Sequence, residues 1–285
     1  MRFRNPMLNA AAMFLAAGAV ACSSDMIGPN GIDGAAINAD VAATSGDAVA
    51  SEVASFSDNI AAAGSFTMVT PSYNLSAPGN LMSGQPSFGA VSPTCSFAAG
   101  RYSCSAATEQ GLNVTRSFAF YDAAGQSLQV FDSTKVESVN FQAQIDGSFE
   151  RDIVWTAQVH RTRNNTVSGL ISMKPQRKWN GVGSGADTVS HLGLDGIRTL
   201  AGHAVDTVTN VVMPGRDAGN NIPLSGTVVI VADYTASQLG ALGTTSTQVT
   251  RRVVVTFNGT VTPTLQIGAM TCTLHLDTHT VDGCQ

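Results

Sequence analysis

Charge is scarce in this sequence. Asp, Glu, Lys and Arg make up 12% of its 285 residues, about half the ~25% usual in folded domains. With a formal net charge of −5 and no long run of one sign, the chain lacks the basic face that a nucleic-acid partner requires. Aromatic residues are 6% of the chain, too few for the aromatic girdles of a lipid-spanning β-barrel, and Arg116, Arg251 and Arg252 fall inside predicted strands. No apolar run reaches the ~20 residues of a transmembrane helix. No two cysteines stand at the two-to-four-residue spacing of a structural zinc site. Ser184 is flanked two residues away by Val182 and Ala186, so it makes no G-x-S-x-G nucleophile elbow. No cofactor is expected.

What is present begins with a leader. Arg2 and Arg4 precede an uncharged stretch from Asn5 to Ala21, in which Met7, Leu8, Met13, Phe14, Leu15 and Val20 sit among alanines. A positive start, a short apolar stretch and the small residues Ala19-Val20-Ala21 form an export signal spanning 1–21. Ala19-Val20-Ala21-Cys22 resembles the lipobox of bacterial lipoproteins, with Ala19 where that family usually has Leu. The resemblance covers only the leader. It implies cleavage before Cys22, lipidation of that cysteine and a membrane partner through the lipid; ordinary cleavage after Ala21 would leave a plain thiol. Ser23, rather than Asp, follows the cysteine, which by the same resemblance favours the outer membrane. Residues 22–36, with Gly28-Pro29-Asn30-Gly31, read as a tether.

Setting Cys22 aside leaves two close pairs, Cys95 with Cys104 and Cys272 with Cys284. A turn at Ala99-Gly100 would set Phe97 opposite Tyr102 and Cys95 opposite Cys104, and a turn around Asp277 to His279 would do the same for the second pair. Four cysteines allow three connectivities, of which local pairing is preferred; an exported chain reaches the oxidising compartment where disulfides persist.

The predicted fold is mainly β: an antiparallel meander forming a curved sheet or barrel-like domain over 94–285, with one N-terminal amphipathic helix packed on it. Residues 37–93 are read as a helix over 37–63, where Val49, Val53, Phe56 and Ile60 recur at helical spacing and Ser45 or Asp47 could cap its start, followed by a Pro/Gly-rich loop over 70–93. From Cys95 onward the period is two. Val114, Arg116, Phe118 and Phe120 form one alternating run, and Val139, Phe141, Ala143 and Ile145 another. Ile153, Trp155, Ala157 and Val159 lead to a hairpin turn at Asn164-Asn165, with Val167, Gly169, Ile171 and Met173 returning. Further strands are predicted at 197–212, 227–233, 249–258 and 265–276.

Three groups of residues bear on chemistry. His275, Asp277 and His279 form H-x-D-x-H, which on one strand aims three metal-competent groups at one face; the predicted turn breaks that alternation and makes them exposed turn residues. Lys174, Arg177, Lys178 and Trp179, with Arg161 and Arg163 nearby, form the densest basic cluster, suited to an anion or a glycan with Trp179 stacking on a sugar. Its structural alternative is a solvated hairpin end with an aromatic covering the core. Gly181, Gly183 and Gly185 approximate a dinucleotide-binding pattern, but without the strand-then-helix context they read as a hairpin or bulge. His191 and His203 lie apart.

These features carry forward a lipid-anchored envelope domain that binds or scaffolds an envelope polymer or protein. Two other expectations stand beside it: a carrier holding an apolar ligand in the curved sheet, and a metal-assisted hydrolase using His275, Asp277 and His279.

Overall fold

The computed structural model describes residues 32–65, 95–109, 111–152, 154–193, 196–214, 221–240 and 243–285. The leader, Cys22 and most of the tether, as well as the Pro/Gly-rich loop, lie outside the described residues.

One helix, α1 (Gly34–Ser65), precedes a β domain. Its strands are β1 (Cys95–Ala98), β2 (Arg101–Cys104), β3 (Ala107–Glu109), β4 (Leu112–Tyr121), β5 (Ser127–Leu128), β6 (Ser138–Asp152), β7 (Trp155–Ser168), β8 (Arg177–Gly193), β9 (Gly196–Met213), β10 (Ser225–Gly240), β11 (Gly243–Thr256), β12 (Thr264–Ile267), β13 (Met270–His275) and β14 (Thr280–Asp282). Among the described residues they form one antiparallel sheet in the order β1-β2-β4-β6-β7-β8-β9-β10-β11-β12-β13-β14, with β3 and β5 pairing onto β4. The two ends of that order do not pair with each other, so the sheet stays open.

The predicted alternation is clearest on β7, whereas on β4 Phe118, Ala119 and Phe120 are all buried. On β7 the inward row is Trp155, Ala157, Val159, Arg161, Arg163, Asn165 and Val167, while Thr156, Gln158, His160, Thr162 and Asn164 face outward. A polar outward row reverses the arrangement that a lipid-facing barrel needs. Both cysteine pairs are disulfides, Cys95–Cys104 and Cys272–Cys284. Register sets Cys95 against Cys104 and Phe97 against Tyr102. Ala99 and Gly100 both take positive φ in the connecting turn.

The structure corrects several expectations. Asn164 and Asn165 are mid-strand positions paired to Val182 and Gly181, so no turn forms there. The chain instead reverses between Ser168 and Arg177, which removes Gly169, Ile171 and Met173 from any strand. Glu137 organises that reversal, since its Oε2 accepts from Ile171 N and Ser172 N at 3.1 Å each. The predicted strand over 265–276 is a hairpin of β12 and β13, with Ile267 opposite Met270.

α1 also starts earlier than expected. Asp33 caps it, accepting from Ala35 N at 2.9 Å, and Ile32 and Ile37 are already buried, so residues 32–36 belong to the packed unit rather than to the tether. Ser45 and Asp47 are then interior helical positions. The helix is embedded in the concavity of the sheet instead of resting one face on it: Val41, Ala42, Thr44, Ser45, Asp47, Val49, Ala50, Glu52, Val53 and Phe56 are all buried. Close approach needs Gly46, where a Cβ would collide with Val281 and sit 3.0 Å from Leu274 Cδ1. Farther along, Phe56 stacks on Trp179 at 4.3 Å between ring centroids, and Trp179 on Phe141 at 5.4 Å.

Candidate functional site

Charged side chains are few, yet six of them converge beneath α1. Arg161, Arg163 and Asn165 lie in successive inward positions of β7, and their register partners on β8 are Gly185, Gly183 and Gly181. The glycines leave the room those side chains need. A Cβ at Gly183 would collide with both Arg163 and Asp206, one at Gly181 with Asn165, and one at Gly185 would sit 2.8 Å from Arg161 Cγ. Gly183 is itself paired to Asp206 on β9. Arg163 therefore reaches over the glycine to Asp206, two strands away, where its Nη1 donates to Oδ1 at 2.6 Å.

The helix completes the cluster. Glu52 receives both the Arg163 guanidinium and the Asn165 side-chain amide. Arg161 donates to Asp187 through Nε at 3.0 Å and Nη2 at 2.8 Å. Asp47 faces His279 from the far side of the helix, Oδ1 to Nδ1 at 3.2 Å. Arg161, Asn165, Asp187, Asp206, Asp47, Glu52 and His279 are all buried. Four carboxylates thus share two guanidiniums and one imidazole.

Burial pushes Asp206 up to about 6, with Arg163 pulling it down and the nearby Glu52 carboxylate opposing that pull. Its Oδ2 is buried without a hydrogen-bond partner among the described residues. Tyr234, buried and near Asp187, is pushed up to about 12. Arg161 keeps its charge: the cost of burial is outweighed by Asp187 beside it, and its pKa rises above the ordinary value.

A second, more open group lies where α1 begins. Asp40 takes Arg198 Nε at 2.6 Å and Nη2 at 3.2 Å, and His191 Nδ1 lies 3.3 Å from the same carboxylate. Beside them is a cleft of about 50 Å³ lined by Ala43, Thr44, Trp155, Val189 and Leu200. This volume suits a water or two, against the ~300–1,000 Å³ of a typical small-molecule site. Arg251 similarly anchors the helix start, Nε donating to Asn38 Oδ1 at 2.7 Å.

The residues singled out from sequence are dispersed. His275 faces Asp282, Nε2 to Oδ2 at 3.2 Å, whereas His279 turns inward to Asp47 and is buried rather than exposed. Asp277 Oδ1 accepts from Thr278 N at 3.0 Å. Among the described residues no group of three metal-competent side chains forms a cluster. Trp179 is 1% exposed and stacked in the core, so its indole is unavailable to a sugar. Lys174 is exposed, with Arg177 and Lys178 half-buried at the start of β8. His191 faces inward and His203 outward. The glycine run is continuous strand in regular register; the one irregularity lies just before it, where Asn180 stands opposite Thr209 and Asn210 of β9, so the expected hairpin or bulge does not form at the glycines.

Sequence reading placed Arg161 and Arg163 with the exposed basic cluster and passed over Glu52, Asp187 and Asp206. The one available signal was strand parity, which sets both arginines on the apolar row of Trp155, Ala157 and Val159. No family model matches the chain, and no match is found among curated proteins or solved structures.

Proposed function

We propose that the protein is a lipid-anchored envelope domain, held in the outer membrane through Cys22, with a binding or scaffolding role. The observation that carries this reading is the placement of the cysteines. Four of the five form the two local disulfides, which need the oxidising compartment an export signal supplies. Cys22 is the remaining thiol, and it stands at the lipobox-like site.

The interior supports a structural role for the charged groups. Arg161, Arg163 and Arg198 are each engaged by carboxylates of the same molecule, and together with Asn38, Asp40, Asp47 and Glu52 they tie α1 into the sheet. The space in which a carrier would hold an apolar ligand is filled by that helix. The unengaged chemistry lies outside, on the polar convex face and at the exposed Lys174 turn, where an envelope polymer or protein partner would bind.

Intact mass of the chain expressed with its leader, combined with membrane fractionation, tests the proposal. An acylated N-terminus at Cys22 in the outer-membrane fraction is the expected result. A soluble product beginning with unmodified Cys22 overturns it.

A further inference from the structure

The long strands β7 to β10 are each paired on both sides, but β11 is not. On its inner side β11 pairs with β10 along its whole length, from Gly243 opposite Gly240 to Thr256 opposite Thr227, in unbroken register. On its outer side β12 meets only Val253, Val254, Val255 and Thr256. Ile267 stands opposite Val253, and there the chain turns back through Gly268 and Ala269 into β13. Among the described residues no strand meets the outer side of β11 before Val253. That is the longest stretch of one-sided strand in the sheet, since the ends of the strand order, β1 and β14, have four and three residues.

A bare edge is a row of backbone donors and acceptors that pairs with another strand unless charge, proline or a bulge prevents it. Residues 244–250 contain no charge, no proline and no glycine. Thr244, Thr245, Thr247, Val249 and Thr250 are β-branched, which suits an extended strand. Thr244 and Thr245 are both exposed although they point to opposite faces, so this end of the edge lies open on either side.

The arginines that follow decide which strand fits. Arg251 turns to the helix, its Nε donating to Asn38 Oδ1 at 2.7 Å, and Arg252 is exposed. Two copies paired parallel and in register would set each arginine beside its own copy. Antiparallel pairing about a two-fold axis at Thr247 separates the two copies of Arg251 by about 27 Å, at ~3.4 Å per residue. Thr244 then faces Thr250, Thr245 faces Val249, Ser246 faces Gln248 and Thr247 faces itself. Polar and β-branched pairs of this kind favour cross-strand contact. Arg251 falls opposite Gly243, which has no side chain to obstruct it.

We infer that residues 244–250 are a self-association edge, at which two copies of this chain pair β11 to β11, antiparallel about Thr247, and join their sheets. Seven residues from each copy form about seven backbone hydrogen bonds. The contact uses the same residues of both copies, so assembly closes at two. It holds whether or not Cys22 carries lipid.

Light scattering on the full chain expressed with its leader, with any detergent subtracted, tests this at about 100 µM, a concentration suited to an interface below the standard size. A doubled mass is expected for the natural chain. Thr247→Lys and Thr247→Glu each set like charges face to face at the axis, and each alone is expected at the mass of one chain. An equal mixture of the two is expected to regain the doubled mass, which also shows that both variants fold. A natural chain of single mass overturns the inference; if its amides over 244–250 are all protected from exchange, the edge is covered by the chain's own residues instead. A doubled mass that survives Thr247→Lys, or a mixture that stays single, overturns it as well.

Discussion

Beneath α1 the protein buries charge, whereas at the adjoining ends of β8, β9 and β10 it exposes the aliphatic side chains of Leu192, Ile197 and Leu239. Each region inverts the usual distribution, and the reasons differ. In the interior, Arg161, Arg163, Asp187, Asp206 and Glu52 satisfy one another across three strands and a helix. Such groups stabilise little against an apolar replacement of the same shape, but they penalise any arrangement that leaves one of them alone. They therefore specify how deep and in what register α1 sits. At the strand ends, Leu192, Ile197 and Leu239 neighbour one another across β8, β9 and β10, and their exposure is compatible with folding because no buried group depends on them. Polarity inside fixes the helix, while the exposed aliphatic side chains take no part in placing it.

Substitutions can break this contrast, the largest loss coming from the interior. Arg161→Ala strands the buried Asp187 carboxylate and is expected to cost about 3–5 kcal/mol in urea unfolding; a loss below about 1 kcal/mol would mean that water or another group takes over the partner's place. Gly183→Val puts side-chain carbon where Arg163 crosses to Asp206, with an expected cost of about 1–3 kcal/mol by overpacking. An unchanged midpoint would show that Arg163 does not need that path.

Asp206 sharpens the comparison through pH. Its folded-state pKa of about 6 lies above the ordinary 3.8, so the stability it contributes is full below the lower value and lost as pH rises through the upper one. Asp206→Asn resembles the protonated form. The natural chain should lose stability relative to this variant between about pH 4 and about pH 7, and a difference constant across that range contradicts the raised value. The smallest folding effect belongs to the exposed strand ends. Leu192→Ser, Ile197→Ser and Leu239→Ser should each change unfolding free energy by less than about 0.5 kcal/mol, since exposed side chains lose little burial; a thermal melt showing a large loss would place them in the packed core instead.

Much of the architecture was legible beforehand. Alternation marked β4, β6, β7 and the later strands, and the Cys95–Cys104 hairpin followed from a local turn whose register is set by a few residues. The false turn at Asn164-Asn165 arose because that dipeptide suits a hairpin. Its real role is an outward Asn164 and an Asn165 amide bound to Glu52 on the helix. The candidate site was nearly illegible, because strand parity could place Arg161 and Arg163 on the inward row but could not name their partners. Glu52 meets Asn165 across 113 residues, and Arg163 meets Asp206 across 43.

By itself the sequence determined what depends on near neighbours: the period of each strand, the helical stripe of Val49, Val53 and Phe56, and cysteine pairs close enough to cross-link their own hairpins. Tertiary structure decided that the sheet stays open, that α1 fills its concavity, that three glycines make room for Arg161, Arg163 and Asn165, and that His279 faces Asp47 instead of His275. The physical reason is that periodicity reports which way a side chain faces, while the cost of burying a charge depends on what distant segment arrives opposite it.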